Sequence, residues 1–305
     1  MLASLPRPLI ATLVTLVVVV STVVHCSTLF AFALLRLLIP VAGFTRFISR
    51  VLIRIAESWI GVNSTMIEVF SNPEWEISGL EGLSREGWYL VLSNHQSWVD
   101  IPVLQRVFNR RIPFLKFFLK SQLIWVPFLG LAWWALDFPF MKRYSKEFLK
   151  LHPELRGKDI EATRRACEKF ATVPVSVMNF VEGTRFTPEK HARQKSPYPH
   201  LLQPKAGGVA FVLETMGELL QAIVDVTIVY PDGRPTMSDL ITGRVRKVRV
   251  IIQHREIPQD LLGGSYESDA LYRERFQSWM NQLWERKDGV LANELGNVAA
   301  QGPVK

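Results

Sequence analysis

From Pro8 to Leu35 the chain runs PLIATLVTLVVVVSTVVHCSTLFAFALL, with no Asp, Glu, Lys or Arg. That stretch exceeds the roughly 20 apolar residues an α-helix needs to cross a hydrocarbon core. A cleaved signal peptide has an apolar region of only about 7–15 residues behind a basic start; this run is longer, and its start is almost uncharged. Residues 1–45 therefore read as an N-terminal transmembrane anchor ahead of a membrane-associated domain over 46–305. Two anchor geometries fit. A single tilted helix would put Arg36, Arg46, Arg50 and Arg54 in the cytoplasm by the positive-inside rule. A hairpin turning near His25-Cys26-Ser27-Thr28 would leave both ends cytoplasmic. Either way the rest of the chain faces the cytoplasm. The next stretch, TRFISRVLIRIAESWIGV, alternates basic and apolar residues at helical spacing, which suits a helix lying along lipid headgroups.

Beyond the anchor the period changes. WYLVLSN (88–94) reads as a buried strand and Val99 to Phe108 as a helix. SVMNFVEG (176–183), LLQAIVDVTIVY (219–230) and RKVRVIIQHREI (246–257) contain further strands, and helices are expected at 159–171 and 206–217. Strands alternating with helices make an α/β domain. Leu271, Phe276, Trp279, Met280, Leu283 and Trp284 form one apolar stripe, the mark of a docking helix. Residues 186–204 read as a polar, proline-broken loop. The segment SQLIWVPFLGLAWWALDFPFM (121–141) carries one charge, Asp137, and invites a second span. Pro127, Gly130 and Pro139 argue against a straight helix, so this segment is expected to dip into the membrane or to be buried.

The chain is 48% hydrophobic, too polar for a multi-span transporter, and its net charge is +8. A basic balance fits nucleic acid, an anionic membrane surface or a phosphorylated substrate. Nucleic acid is disfavoured because the tryptophans sit in apolar runs and are not interleaved with cations. Cys26 and Cys167 are the only cysteines; with no CxxC or Cys/His cluster, neither a disulfide framework nor a metal site is expected.

The stretch SNHQSWVD (93–100) places His95 and Asp100 five positions apart, directly behind a strand. On a continuous helix five residues turn through roughly 500°, leaving the two side chains about 140° apart. They converge only if the chain leaves the strand at Asn94, turns, and starts a helix near Ser97. His95 then sits at the strand's C-terminal edge, where α/β folds place their sites. Ser97-x-x-Asp100 also has the form of a capping box. Three later stretches carry cations at the edge of apolar sequence: FPFMKRYS (138–145), FVEGTRF (180–186) and LLQPKAGG (201–208). Taken singly, Glu182 and Arg185 form a surface ion pair and Lys205 is a snorkelling lysine. Together, several cations beside a His-Asp pair suggest a phosphorylated substrate.

These blocks, in this order over about residues 85–235, resemble the glycerophospholipid acyltransferase family, which includes the 1-acylglycerol-3-phosphate acyltransferases. Asn94-His95-Gln96-Ser97-Trp98-Val99-Asp100 is similar to its H-x4-D block, Phe140-Met141-Lys142-Arg143 to its second, and Phe180-Val181-Glu182-Gly183-Thr184-Arg185 to its third. Val181 stands where that third block usually has proline, and Asp225 where the fourth usually has it. Both departures resemble the eukaryotic lysophosphatidate and lysocardiolipin branch and a bacterial inner-membrane member. The resemblance implies a mixed sheet flanked by helices and a bacterial inner (cytoplasmic) membrane location. It makes His95 the base and Asp100 its orienting partner. Lys142, Arg143, Arg185 and Lys205 would hold a phosphate, with Thr184 in the same block. Glu182 would orient Arg185 or a glycerol hydroxyl, and amides near Gly183 would receive the oxyanion. The implied partners are membrane lipids and acyl-CoA or acyl-carrier protein as co-substrate, without a bound cofactor. A hydrolase would need a Ser or Cys nucleophile in a G-x-S-x-G setting, which the sequence lacks. A scaffold would have no need of His95, Asp100, Glu182 and Arg185 together.

Overall fold

The computed structural model of the chain describes residues 6–141, 170 and 173–301. Helix α1 (Arg7–Leu38) runs without a break through His25-Cys26-Ser27-Thr28. The chain turns instead at 39–41, where Pro40 cannot continue a helix, and α2 (Ala42–Met66) returns antiparallel to α1. Residue 45, the expected end of the anchor, lies in the first turn of α2. Cys26, Leu29 and Ala33 of α1 meet Ile48, Leu52 and Ala56 of α2. Polar ties flank this seam: His25 Nε2 to Ser58 Oγ at 3.3 Å, and Trp59 Nε1 donating to Thr22 Oγ1 at 3.0 Å. The apolar positions of α2 thus serve helix pairing, while Arg46, Arg50 and Arg54 stay exposed. Helix α1 is long and apolar enough to cross a membrane, and Leu16, Val20, Val24 and Leu38 on it are exposed. Its first turns rest on the rest of the fold, with Ile10 and Val14 packed against Phe70.

Six strands make the main sheet: β1 (Glu74–Ser78), β2 (Tyr89–Ser93), β3 (Leu115–Phe117), β6 (Ser176–Phe180), β7 (Ala222–Val229) and β8 (Lys247–Arg255). Their spatial order is β1-β8-β7-β2-β6-β3. All neighbouring pairs are parallel except β7 with β8, which makes the sheet mixed. Two short strands, β4 (Leu119–Lys120) and β5 (Phe140–Met141), pair separately. Central β2 is buried on both faces, as its unbroken apolar run requires. One face of the sheet (Tyr89, Val91, Val224, Val226) packs on Val103, Leu104 and Val107 of α3 (Asp100–Phe108). The other (Leu90, Leu92, Val177) packs on α6 (Ala206–Met216) and α8 (Ala270–Gln301), and the short α7 (Met237–Ile241) lies between β7 and β8 in the chain.

Several expectations need correcting. The loop at 186–204 holds helix α5 (Pro188–Gln194), started by Thr187, whose side chain accepts from the Lys190 amide, and by Pro188 in its first turn. Thr-Pro is an N-terminal helix signal hidden by the later prolines. In α8, Phe276, Met280, Leu283 and Trp284 are buried as the stripe requires, whereas Leu271 is 77% exposed. The 121–141 segment is a short 3₁₀ turn (Ser121–Trp125) and α4 (Leu129–Ala135). Seven helical residues rise only about 10 Å, too little to span. Ala132, Ala135 and Leu136 pack onto α1 and α2, and Arg36 pairs with Asp137 at 2.9 Å. The helix expected at 159–171 lies, but for Phe170, outside the described residues.

A buried ion cluster ties α8 to β7. Lys287 is 2% exposed; its ammonium meets Asp225 Oδ1 at 2.5 Å and donates to the Val226 carbonyl at 2.6 Å. Arg255 Nε reaches Asp225 Oδ2 at 2.8 Å. Removing one partner of such a cluster leaves a buried charge uncompensated. Lys287→Met should lower stability by on the order of 3 kcal/mol in urea unfolding, and adding Asp225→Val should recover most of that loss.

Candidate active site

The end of β2 is held in a fixed direction. Asn94, fully buried, donates to the Ile228 carbonyl and accepts from the Ile228 amide, both at 2.9 Å, so its side chain continues the pairing to β7. The backbone then leaves the sheet at His95. The His95 amide donates to Glu182 Oε1 at 2.7 Å, and its carbonyl accepts from the Phe186 amide at 2.8 Å. Both backbone groups of His95 are thus fixed by the 180–186 block, and the imidazole stacks on Phe180 at 3.8 Å between ring centroids.

Asp100, in the first turn of α3, folds back as its spacing suggests. Its Oδ2 meets His95 Nδ1 at 2.8 Å and accepts from the Gln96 and Ser97 amides at 2.7 and 2.9 Å. Its Oδ1 accepts from the Tyr230 hydroxyl at 2.7 Å. Of the capping box only one half forms, the Ser97 amide on Asp100 Oδ2; the Ser97 hydroxyl accepts from Val99 N at 3.0 Å, not from the Asp100 amide, and donates to the Pro235 carbonyl at 2.5 Å. Burial and the neighbouring Asp100 carboxylate push the Tyr230 phenol well above its usual range, so it stays a donor. A carboxylate surrounded by donors fixes the imidazole with its proton on Nδ1. Nε2 is then left as the free basic nitrogen, with no partner among the described residues.

Glu182 does not orient Arg185. It is fully buried, and its second oxygen accepts from the Leu202 amide at 2.9 Å. Burial pushes its carboxyl up to about 7, against the lowering pull of the His95 and Leu202 amides. Gly183 follows at φ 67°, a conformation that favours glycine. A Cβ there would also lie 3.0 Å from Lys205 Cδ. The Gly183 amide is already bonded to the Phe180 carbonyl at 2.8 Å, so it is unavailable to an oxyanion. Among the described residues, the Thr184 and Arg185 amides have no acceptor, which makes them the better candidates.

Of the expected cations, Arg185 and Lys205 are described, and two others join them. The Arg185 guanidinium lies over Trp98, 4.1 Å from the ring centroid. Lys205 is exposed beside Gly183, its own amide bonded to the Val181 carbonyl at 2.8 Å. Lys190 donates to Thr184 Oγ1 at 2.8 Å and to the Arg185 carbonyl at 2.9 Å. Arg234, which the sequence did not single out, stacks on Phe186 at 3.7 Å. Lys142 and Arg143 lie outside the described residues. The arrangement is a polarised imidazole whose supporting block carries Arg185 and Lys190, with Lys205 beside Gly183. That suits activation of a hydroxyl on an anionic molecule.

A family model, Acyltransferase, matches residues 74–234; the chain belongs to that family. It is 24% identical over 251 residues to lysocardiolipin acyltransferase 1 of Gallus gallus, covering 77% of this chain and 61% of that protein. It is 25% identical over 254 residues to 1-acyl-sn-glycerol-3-phosphate acyltransferase delta of Homo sapiens, covering 79% of this chain and 60% of that one. The chain thus spans about three fifths of the length of these relatives. The fold is similar to the crystal structure of the 1-acyl-sn-glycerophosphate (LPA) acyltransferase PlsC from Thermotoga maritima. The TM-score is 0.54 at 19% identity, over 94% of this chain and 98% of that one.

The raised Glu182 value makes stability depend on pH in a defined direction. Between 4.5, the ordinary carboxyl value, and about 7, the folded protein keeps a proton on Glu182 that the unfolded chain releases. Its contribution is therefore complete below 4.5 and lost as pH rises through 7, on the order of 3–4 kcal/mol at most. Glu182→Gln cannot titrate, so urea unfolding at several pH values should show this part of the profile flattened. An unchanged slope would mean that Glu182 is ionised throughout.

Proposed function

We propose that the protein transfers a fatty acyl group from a thioester, acyl-CoA or acyl-carrier protein, to the free hydroxyl of a membrane lysophospholipid. The acceptor is 1-acylglycerol-3-phosphate and the product phosphatidic acid. The observation that carries this reading is the His95 Nδ1–Asp100 Oδ2 contact at 2.8 Å, set in the matched family region with Nε2 left free. His95 Nε2 takes the proton of the acceptor hydroxyl as its oxygen attacks the thioester carbonyl. Asp100 stabilises the imidazolium that forms. The tetrahedral oxyanion is received by the Thr184 and Arg185 amides. Its collapse expels the thiolate, which takes the proton back from the imidazolium. Arg185 and Lys205, with Lys142 and Arg143 from the second block, hold the acceptor phosphate. The likeness to a lysocardiolipin acyltransferase favours lysocardiolipin as a second acceptor.

The exposed apolar surface of α1, with exposed Trp125, Phe128 and Leu131, supports a membrane location; we place the acyltransferase domain on the cytoplasmic face of a bacterial inner membrane from the arginines that follow the apolar run, Arg36, Arg46, Arg50 and Arg54.

In an acyl-transfer assay on purified membranes with a panel of lysophospholipids, His95→Ala should lower turnover by at least about 10²–10⁴-fold, with an unfolding midpoint near that of the parent. Asp100→Asn should lose activity comparably and stability by on the order of 1–3 kcal/mol, since its amide group would face backbone donors. Full turnover in Asp100→Asn would reduce that residue to a turn-satisfying acceptor. For orientation, Arg110→Cys and Arg193→Cys should both be shielded from an impermeant thiol reagent in intact cells. Labelling of only one would place a membrane crossing between them.

A further inference from the structure

The loop that follows β7 lies outside the blocks with cations of their own, yet it is fastened to the His95–Asp100 turn at both ends. At its start the Tyr230 hydroxyl is bonded to Asp100; at its finish the Pro235 carbonyl accepts from Ser97 Oγ. Between them the chain reverses, with the Gly233 amide on the Tyr230 carbonyl at 3.1 Å and Gly233 at φ 96°. This reversal presents Arg234 to Phe186, the residue after Arg185, whose own amide is bonded to the His95 carbonyl. The guanidinium carbon lies over the ring, 3.7 Å from its centroid. A cation seated on an aromatic face keeps N–H groups of its fork for an anion, because the ring takes none of them as a carboxylate would. Among the described residues no carboxylate pairs with it. The acid that acts on it through space is Glu182, which is buried and committed to two backbone amides. Arg185 on Trp98 has the same design: a guanidinium over an aromatic ring, without an ion-pair partner among the described residues. Aromatic backing orients a cation without neutralising it.

We propose that Arg234 is a specificity-determining residue of this enzyme, a second guanidinium that binds a phosphomonoester beside His95. This rests on the reading of the protein as a lysophospholipid acyltransferase. The ligand chemistry it recognises is a terminal phosphate, which both the acceptor lysophosphatidate and the thioester donor's nucleotide can supply; we assign it to the acceptor. A monoester carries close to two charges near neutral pH and offers three terminal oxygens, so two guanidiniums are matched to it. A phosphodiester headgroup carries one charge and engages one.

The test is kinetic, on the full-length protein in phosphatidylcholine vesicles, with Arg234→Ala and Arg234→Lys. Acceptors are lysophosphatidate and a lysophospholipid with a phosphodiester headgroup, and acyl-CoA is varied separately. Arg234→Ala should lower kcat/KM for lysophosphatidate about 10–100-fold, mainly through KM, and Arg234→Lys should recover part of it. The phosphodiester acceptor and the KM for acyl-CoA should hardly change. Glycerol 3-phosphate as a competing probe should inhibit the parent more strongly than Arg234→Ala. Equal losses for both acceptors, or a loss confined to acyl-CoA, would overturn the assignment. A parent enzyme that uses no lysophosphatidate would overturn the acceptor reading beneath it, whatever Arg234→Ala does.

Discussion

The site depends on one buried carboxylate whose work is structural. Glu182 accepts from the His95 amide and the Leu202 amide, and so joins three separate pieces of chain: the exit of β2, the exit of β6 and the approach to α6. Burying a carboxylate is costly unless hydrogen bonds replace its water. Here two backbone donors do so, and the remaining cost appears as a pKa near 7. The gain is positional. With the amide of His95 on Glu182 and its carbonyl on Phe186, the imidazole cannot translate along the strand axis. The Val181 carbonyl, on the Lys205 amide, fixes the same block to the start of α6.

On that base, Asp100 performs two tasks often credited to separate residues. It closes the turn, by accepting from the Gln96 and Ser97 amides, and it sets the tautomer of His95 through the same oxygen. Because turn and tautomer share one atom, the imidazole is oriented whenever the turn is formed. Tyr230 occupies the other oxygen and keeps the carboxylate from rotating away. A pair held in place before the substrate arrives loses little to reorganisation during reaction.

Much of this was legible in the sequence, and the misses have physical causes. The long central strands and the core helices followed from apolar period, because burial on one or both faces dictates it. The convergence of His95 and Asp100 followed from a strand that must end at Asn94. Edge strands β1 and β3 escaped because EWEIS is polar and LKF is only three residues long, too short to show a period. The role of Glu182 escaped because its partners are backbone amides, which leave no residue-type signature. Arg234 escaped for a related reason: it is an ordinary arginine in a turn until the Tyr230 and Ser97 bonds place that turn over the site. The choice between a single helix and a hairpin for the anchor stayed open because His25-Cys26-Ser27-Thr28 interrupts the apolar run; in α1 that stretch stays helical, and His25 finds its partners in Ser21 and Ser58.

Asp225 shows how a departure from the family pattern is absorbed. Its strand lies beside β2, where the family usually carries proline, and Asp225 points away from α3 toward α8. Proline there would remove a strand donor; an aspartate restores the donor but introduces a charge in the core. Lys287 from α8 and Arg255 from β8 neutralise it from two sides, and the Lys287 ammonium also takes the Val226 carbonyl and the Thr227 hydroxyl. Val226 and Thr227 lie two residues and one residue before Ile228, which carries the Asn94 pairing, and four and three before Tyr230, which holds Asp100. The substitution therefore ties the C-terminal helix to the strand that positions the His95 loop. In this chain the helix that closes one face of the sheet also helps to set the register of the active site.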